Sequence, residues 1–134
     1  MTAAAYDLQL EQGESWSPVW TLTWPGGGIY SLVGYSAHMQ FRSTFYAGAT
    51  LLDLHSNTGG LILGGAAGTI QPVVTAAQSA ALLSGQVPLS NIVNGRSVYK
   101  LGTYDLKITD GAGNVYTIMG GTVWIAPQVT VGGT

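Results

Sequence analysis

The sequence predicts an antiparallel β-sandwich with one short helix, on three observations. Apolar residues recur with a period of two along almost the whole chain, the signature of strands with one buried face. Glycine turns break these runs at intervals of roughly 8–12 residues, the spacing of short hairpin-connected strands. One segment, about residues 75–84, replaces the alternation with alanines set between a capping threonine and a glycine. The 134 residues are the length of one domain, and a chain this size buries roughly 65–70% of its unfolded surface. Residues 1–126 read as that domain, and 127–134 as a tail, flexible or docked on a neighbouring subunit.

Tyr6, Leu8 and Leu10 alternate with Asp7, Gln9 and Glu11 before a turn at Gly13. Trp16, Trp20, Leu22 and Trp24 share the face of the next strand, which predicts core packing for them, and Pro25 with Gly26, Gly27 and Gly28 forces a reversal. The third strand is the cleanest: Tyr35, Ala37, Met39 and Phe41 on one side, Ser36, His38, Gln40 and Arg42 on the other. Leu51 to His55 continues the pattern, Gly59 and Gly60 turn the chain, and Leu61 to Leu63 and Thr69 to Val74 make two more strands. Pro72 has no N–H for a ladder bond, so its strand is expected at an edge or with a bulge. Thr75 caps the helix and Gly85 stops it. Gln86 to Gly102 reads as a long loop in which Ser97 to Leu101 can pair as an edge. Tyr104, Leu106 and Ile108 return to strand, Asp110-Gly111-Ala112-Gly113 is a hairpin turn, and Val115 to Ile125 closes the domain. The segments Tyr6-Asp7-Leu8 and Tyr104-Asp105-Leu106 are matched by two strands of one sandwich under the same alternation, so they indicate no internal repeat.

Only 7% of residues are charged, mean hydropathy is +0.29, and there are 20 glycines, whereas a typical soluble domain is about 25% charged. Six acids and four bases give little electrostatic protection against association, so much of the surface is expected to be covered by partners. Leu61 to Leu83 holds no charge, but glycines, Pro72 and polar residues interrupt it, and a spanning helix needs about 20 mostly apolar residues. No membrane insertion is expected. Met1 to Tyr6 lacks the basic and apolar regions of a secretory signal, which predicts synthesis in the cytoplasm. The net charge of −2 and the scattered Arg42, Arg96, Lys100 and Lys107 form no basic stripe, so nucleic acid is not an expected partner. Without cysteine there is no disulfide framework or thiolate metal site.

Catalysis needs converging groups, and the only imidazoles are His38 and His55. His38 falls on the polar side of its strand and reads as a surface or interface histidine. Asp53 and His55 lie two apart and face the same way, close enough for a hydrogen bond or two ligands, but the local sequence supplies no third partner. No glycine pair has P-loop spacing. Neither enzyme activity, a cofactor nor a metal is expected. Trp124 alternates with Val123 and Ile125 and so points away from their shared face, where an aromatic is a typical interface anchor.

The order of motifs resembles a family of small structural proteins of tailed bacteriophages. The matching residues begin with Tyr6-Asp7-Leu8-Gln9-Leu10-Glu11-Gln12-Gly13, Leu22-Thr23-Trp24 and the strand Leu32 to Arg42 with its Gly34-Tyr35-Ser36-Ala37-x-Met39-Gln40-x-Arg42 pattern. They continue through Leu52-Asp53-Leu54, Gly68-Thr69-Ile70, Thr75-Ala76-Ala77-Gln78 and Tyr104-Asp105-Leu106 to Asp110 to Val115 and Gly121-Thr122-Val123. That family is similar in turn to the N-terminal β-sandwich domain of the phage upper baseplate protein. The resemblance implies an immunoglobulin-like sandwich, placement in the virion tail or baseplate, and no catalytic residues. His38 departs from it, standing where a basic residue is common; so do Pro72 and the length of the Gln86 to Gly102 loop.

The resulting expectation is a non-enzymatic virion protein connecting a fibre, spike or receptor-binding protein to the tail, as a homo-oligomer or in multiple copies. Its expected partners are other phage structural proteins. The residues expected at the interface are Trp124, then Val129 and Val131 of the tail, and Ile92, Val93, Arg96 and Tyr99 of the long loop. A capsid decoration protein and a glycan-binding lectin-like module are the alternatives.

Overall fold

The computed structural model describes residues 4–43, 50–82, 90–93 and 96–126, with backbone alone at residues 4, 90–93 and 96–98. Along the described chain run β1 (Ala4–Ala5), β2 (Leu8–Glu11), β3 (Trp20–Thr21), β4 (Ser36–Arg42), β5 (Thr50–His55), β6 (Leu61–Leu63) and β7 (Thr69–Pro72). Helix α1 (Ala76–Ala80) follows, then β8 (Ser90–Val93), β9 (Arg96–Thr109) and β10 (Val115–Ala126). A large sheet in the order β1-β10-β9-β4-β5 faces a small one in the order β3-β7-β6. Strand β2 continues β1 along β10, and β8 continues β4 along β9. Leu8, Met39, Phe41, Leu106 and Ile125 of the large sheet share one core with Leu61 and Ile70 of the small one and with Val74 just beyond it. This is the expected fold class, an immunoglobulin-like β-sandwich with one short helix. No helix among the described residues is long and apolar enough to cross a membrane.

The clean alternation of the third predicted strand becomes β4, with Ala37, Met39 and Phe41 buried and Ser36 and Arg42 exposed. All pairing is antiparallel except at the amino end, where β1 and β2 run parallel to β10. Both keep one register along β10, and the two residues between them are tied to it as well: Tyr6 N–H donates to the Gly120 carbonyl at 2.9 Å, and an Asp7 carboxylate oxygen accepts from Thr122 N–H at 3.0 Å. A Cβ on Gly121 would stand 2.6 Å from the Tyr6 carbonyl oxygen, so glycine permits the crossing. Tyr6 is 53% exposed, with its ring edge-on to Trp20 at 6.5 Å. Tyr104 by contrast is buried in the core and donates its hydroxyl to the Tyr6 carbonyl.

Three expectations need correction. The tryptophan strand is short: β3 covers only Trp20 and Thr21, flanked by isolated pairings of Trp16 with Val74 and Thr23 with Ile29. Trp16, Trp20 and Leu22 pack against the core, but Trp24 leaves it and is 54% exposed, its ring on Tyr30 at 4.4 Å. Second, Gln86 to Gly102 is no loop throughout, because Ser90–Val93 pairs with residues 96–99 and β9 runs for 14 residues. Third, Pro72 ends the central strand of the small sheet rather than lying in an edge strand. Val73 N–H donates to Gly60 O on the β6 side, and alternation turns the Pro72 nitrogen the other way. It faces the stretch between the Trp16 and Trp20 pairings, where no ladder bond is required.

The helix has the expected start, a reciprocal cap in which Gln78 N–H donates to Thr75 Oγ1 at 3.1 Å and Thr75 N–H to Gln78 Oε1 at 2.8 Å. It spans five residues, and positions 83–84 of the expected helix lie outside the described residues. Its buried Ser79 ties it to the turn after β2, accepting from Gly13 N–H at 3.0 Å and donating to Glu14 O at 2.7 Å. The predicted Asp110 turn is present: Asp110 accepts from the backbone N–H groups of Asn114 and Ala112, which hold its carboxyl below the usual range.

Candidate functional site

The few charges of the chain are unevenly distributed. Residues 15–41 and 54–95 contain no Asp, Glu, Lys or Arg, and every strand of the small sheet falls inside those windows. Five of the seven large apolar side chains exposed among the described residues belong to this layer or its loops: Val19, Trp24, Ile29, Val33 and Ile62. Val33, at a turn closed by Tyr35 N–H to Leu32 O, is the most open at 67%. The small sheet therefore presents an uncharged surface bearing large apolar groups, and such surfaces mark sites of association.

The outer face of the large sheet is the opposite. Alternation brings rows of polar side chains together: His55, His38, Lys107 and Thr117 in one, Asp53, Gln40 and Asp105 in the next, then Arg42, Thr103 and Thr122. A shallow open groove runs across β4 and β9, lined by His38, Gln40, Arg42, Thr103, Asp105 and Lys107 among others. At its edge, His38 stands directly opposite His55, with the imidazole rings stacked at 4.0 Å and 13°. Both turn Nε2 toward one carboxylate, His38 at 2.5 Å from Asp53 Oδ1 and His55 at 3.3 Å from Oδ2. The His38 hydrogen bond is the main influence holding the Asp53 carboxyl below its ordinary range. The third partner that the local sequence lacked thus comes from the neighbouring strand, through register alone.

Of the residues expected at an interface, Trp124 has the expected orientation, opposite to the buried Val123 and Ile125, but is half-buried between Gln9 and Lys100 on the charged sheet. Tyr99 is half-buried and packs against the core. Ile92, Val93 and Arg96 lie on β8 and the start of β9, where only backbone is described, and Val129 and Val131 lie outside the described residues. Sequence reasoning missed the layer carrying Val19, Trp24, Ile29, Val33 and Ile62. The available signal was the pair of charge-free windows.

No protein-family model and no curated protein sequence matches the chain. Among solved structures, the chain is similar to the extracellular domains of the voltage-gated sodium channel beta4 subunit, described as parallel homodimers that explain that subunit's role in cell-cell adhesion. The TM-score is 0.38 at 10% identity, over 96% of this chain and 97% of that one. So distant a likeness carries no functional inference.

Proposed function

We propose that the chain is a non-enzymatic structural module of a tailed bacteriophage, present in multiple copies and connecting a fibre, spike or receptor-binding protein to the tail or baseplate. The observation that carries the mode of action is the charge-free small-sheet layer with its exposed Val19, Trp24, Ile29, Val33 and Ile62. Covering such a surface stabilises an assembly by about 25 cal/mol per Å² of apolar area removed from water, and no buried charge opposes it. The phage setting is supported by the ordered motifs from Tyr6-Asp7-Leu8 to Gly121-Thr122-Val123. The sandwich supplies the rigid support that a connector needs.

Immunogold labelling of purified particles with an antibody against this chain tests the reading. Label at the tail end supports it. Label over the head replaces it with capsid decoration, and unlabelled particles refute both.

A further inference from the structure

We propose that His38, Asp53 and His55 hold one divalent first-row transition-metal cation of the zinc class. The two histidines are the chain's whole imidazole supply. The β4–β5 register sets them face to face, with Asp53 two residues before His55 on the same face of β5. One ligand atom from each of the three residues lies within 4.8 Å of the others. Tetrahedral ligation at about 2.0–2.1 Å places neighbouring donors roughly 3.3–3.5 Å apart. The longest separation therefore closes by about 1–1.5 Å, within reach of side chains that are 39%, 40% and 44% exposed.

The carboxylate is also held from behind. Gln40 donates from Nε2 to Asp53 at 3.3 Å, and its Oε1 accepts from Arg42 at 2.8 Å and 3.1 Å. A ligand oriented by further hydrogen bonds is the usual construction of a metal site. The charged residues nearest in register on β9 are Lys107, opposite His38, and Asp105, opposite Gln40, and their charges offset one another. Two imidazole nitrogens and one carboxylate oxygen suit zinc, copper or nickel, whereas magnesium and calcium favour all-oxygen sites. Three protein ligands at an exposed position leave room for water, or for a donor from a neighbouring molecule, at the metal.

The test is titration of the full chain, stripped with chelator, with Zn²⁺ by calorimetry and by NMR of the imidazole resonances, which come from only two side chains. One equivalent should bind, moving both imidazoles together, and millimolar Mg²⁺ should not compete. H38A, H55A and D53N should each weaken binding at least about tenfold, while E14Q, outside the cluster, should not. Thermal melts of the metal-free variants establish that they fold, and the NMR titration of the unaltered chain needs no variant. Imidazole resonances unmoved at millimolar Zn²⁺, or binding that survives H38A and H55A together, would overturn the proposal.

Discussion

Val33→Asp tests the assembly surface most sharply. Val33 is 67% exposed at a turn, so the free chain loses little packing, and aspartate is at home in turns. Stability of the isolated protein should change by no more than about 0.5 kcal/mol. In the assembly the balance differs. Burying a whole valine side chain stabilises by about 1.5–3 kcal/mol, so the exposed two-thirds are worth roughly 1–2 kcal/mol by the same scale. Aspartate forfeits that and leaves an unpaired carboxylate in a dry interface, at a cost of about 3–5 kcal/mol. The total, roughly 4–7 kcal/mol, weakens association by about a thousandfold or more at 1.4 kcal/mol per decade. The assay is competitive incorporation: V33D and unaltered chains are co-expressed during infection, and their ratio in purified particles is measured by mass spectrometry. V33D should be nearly absent from the particles while its melting temperature stays within about 3 °C of the parent. Incorporation at the expressed ratio would refute the assignment of this layer to the interface.

Three further outcomes follow from the packing. Gly102→Ala should destabilise by about 3 kcal/mol, because its Cβ would lie 1.9 Å from the Arg42 carbonyl oxygen and only backbone can yield; a urea midpoint near the parent's would contradict this. Ser79→Ala removes the hydroxyl shared by Gly13 N–H and Glu14 O and should cost about 1–2 kcal/mol, read in the same denaturation experiment. Tyr104, raised to about 12 chiefly by burial, and Tyr30, raised to about 12 chiefly by its hydrogen bond with Tyr35, are stabilised in their neutral forms. Their folded values exceed the unfolded one, so this stabilisation is complete below pH ~10 and fades as pH rises towards 12. Absorbance at tyrosinate wavelengths should show these two resisting ionisation until the chain unfolds; full ionisation of all seven tyrosines by pH ~10.5 in the folded chain would contradict it.

Strands were legible where one face alone is buried. Ala37, Met39 and Phe41, and Tyr104, Leu106 and Ile108, entered the core as their spacing requires. Alternation failed at Trp24, where a two-residue strand is too short to hold it in phase, and Tyr6 stays 53% exposed with its ring against Trp20. The residues from Ser90 to Leu101 looked irregular because polar side chains obscured their period. Half of the histidine cluster was readable, since Asp53 and His55 share a strand face. The other half depends on which residue of β4 lies opposite, and a one-residue slip would turn His38 to the core side. Nor does linear charge spacing say that the uncharged windows fold into one layer.

The parallel docking of β2 on β10 also constrains the order of events in folding. Asp7 and Thr122, hydrogen-bonded across that seam, are 115 positions apart. Contacts of such span form late, because loop closure opposes them until much of the sandwich is in place. During synthesis, Leu8 and Leu10 therefore remain without their β10 partners until Val123 and Ile125 have emerged. A chain stopped short of β10 would present an open strand edge on β9 and an apolar amino-terminal segment, a combination prone to pairing with other unfinished chains. Pairing of β10 with β9 and β2 removes both hazards together.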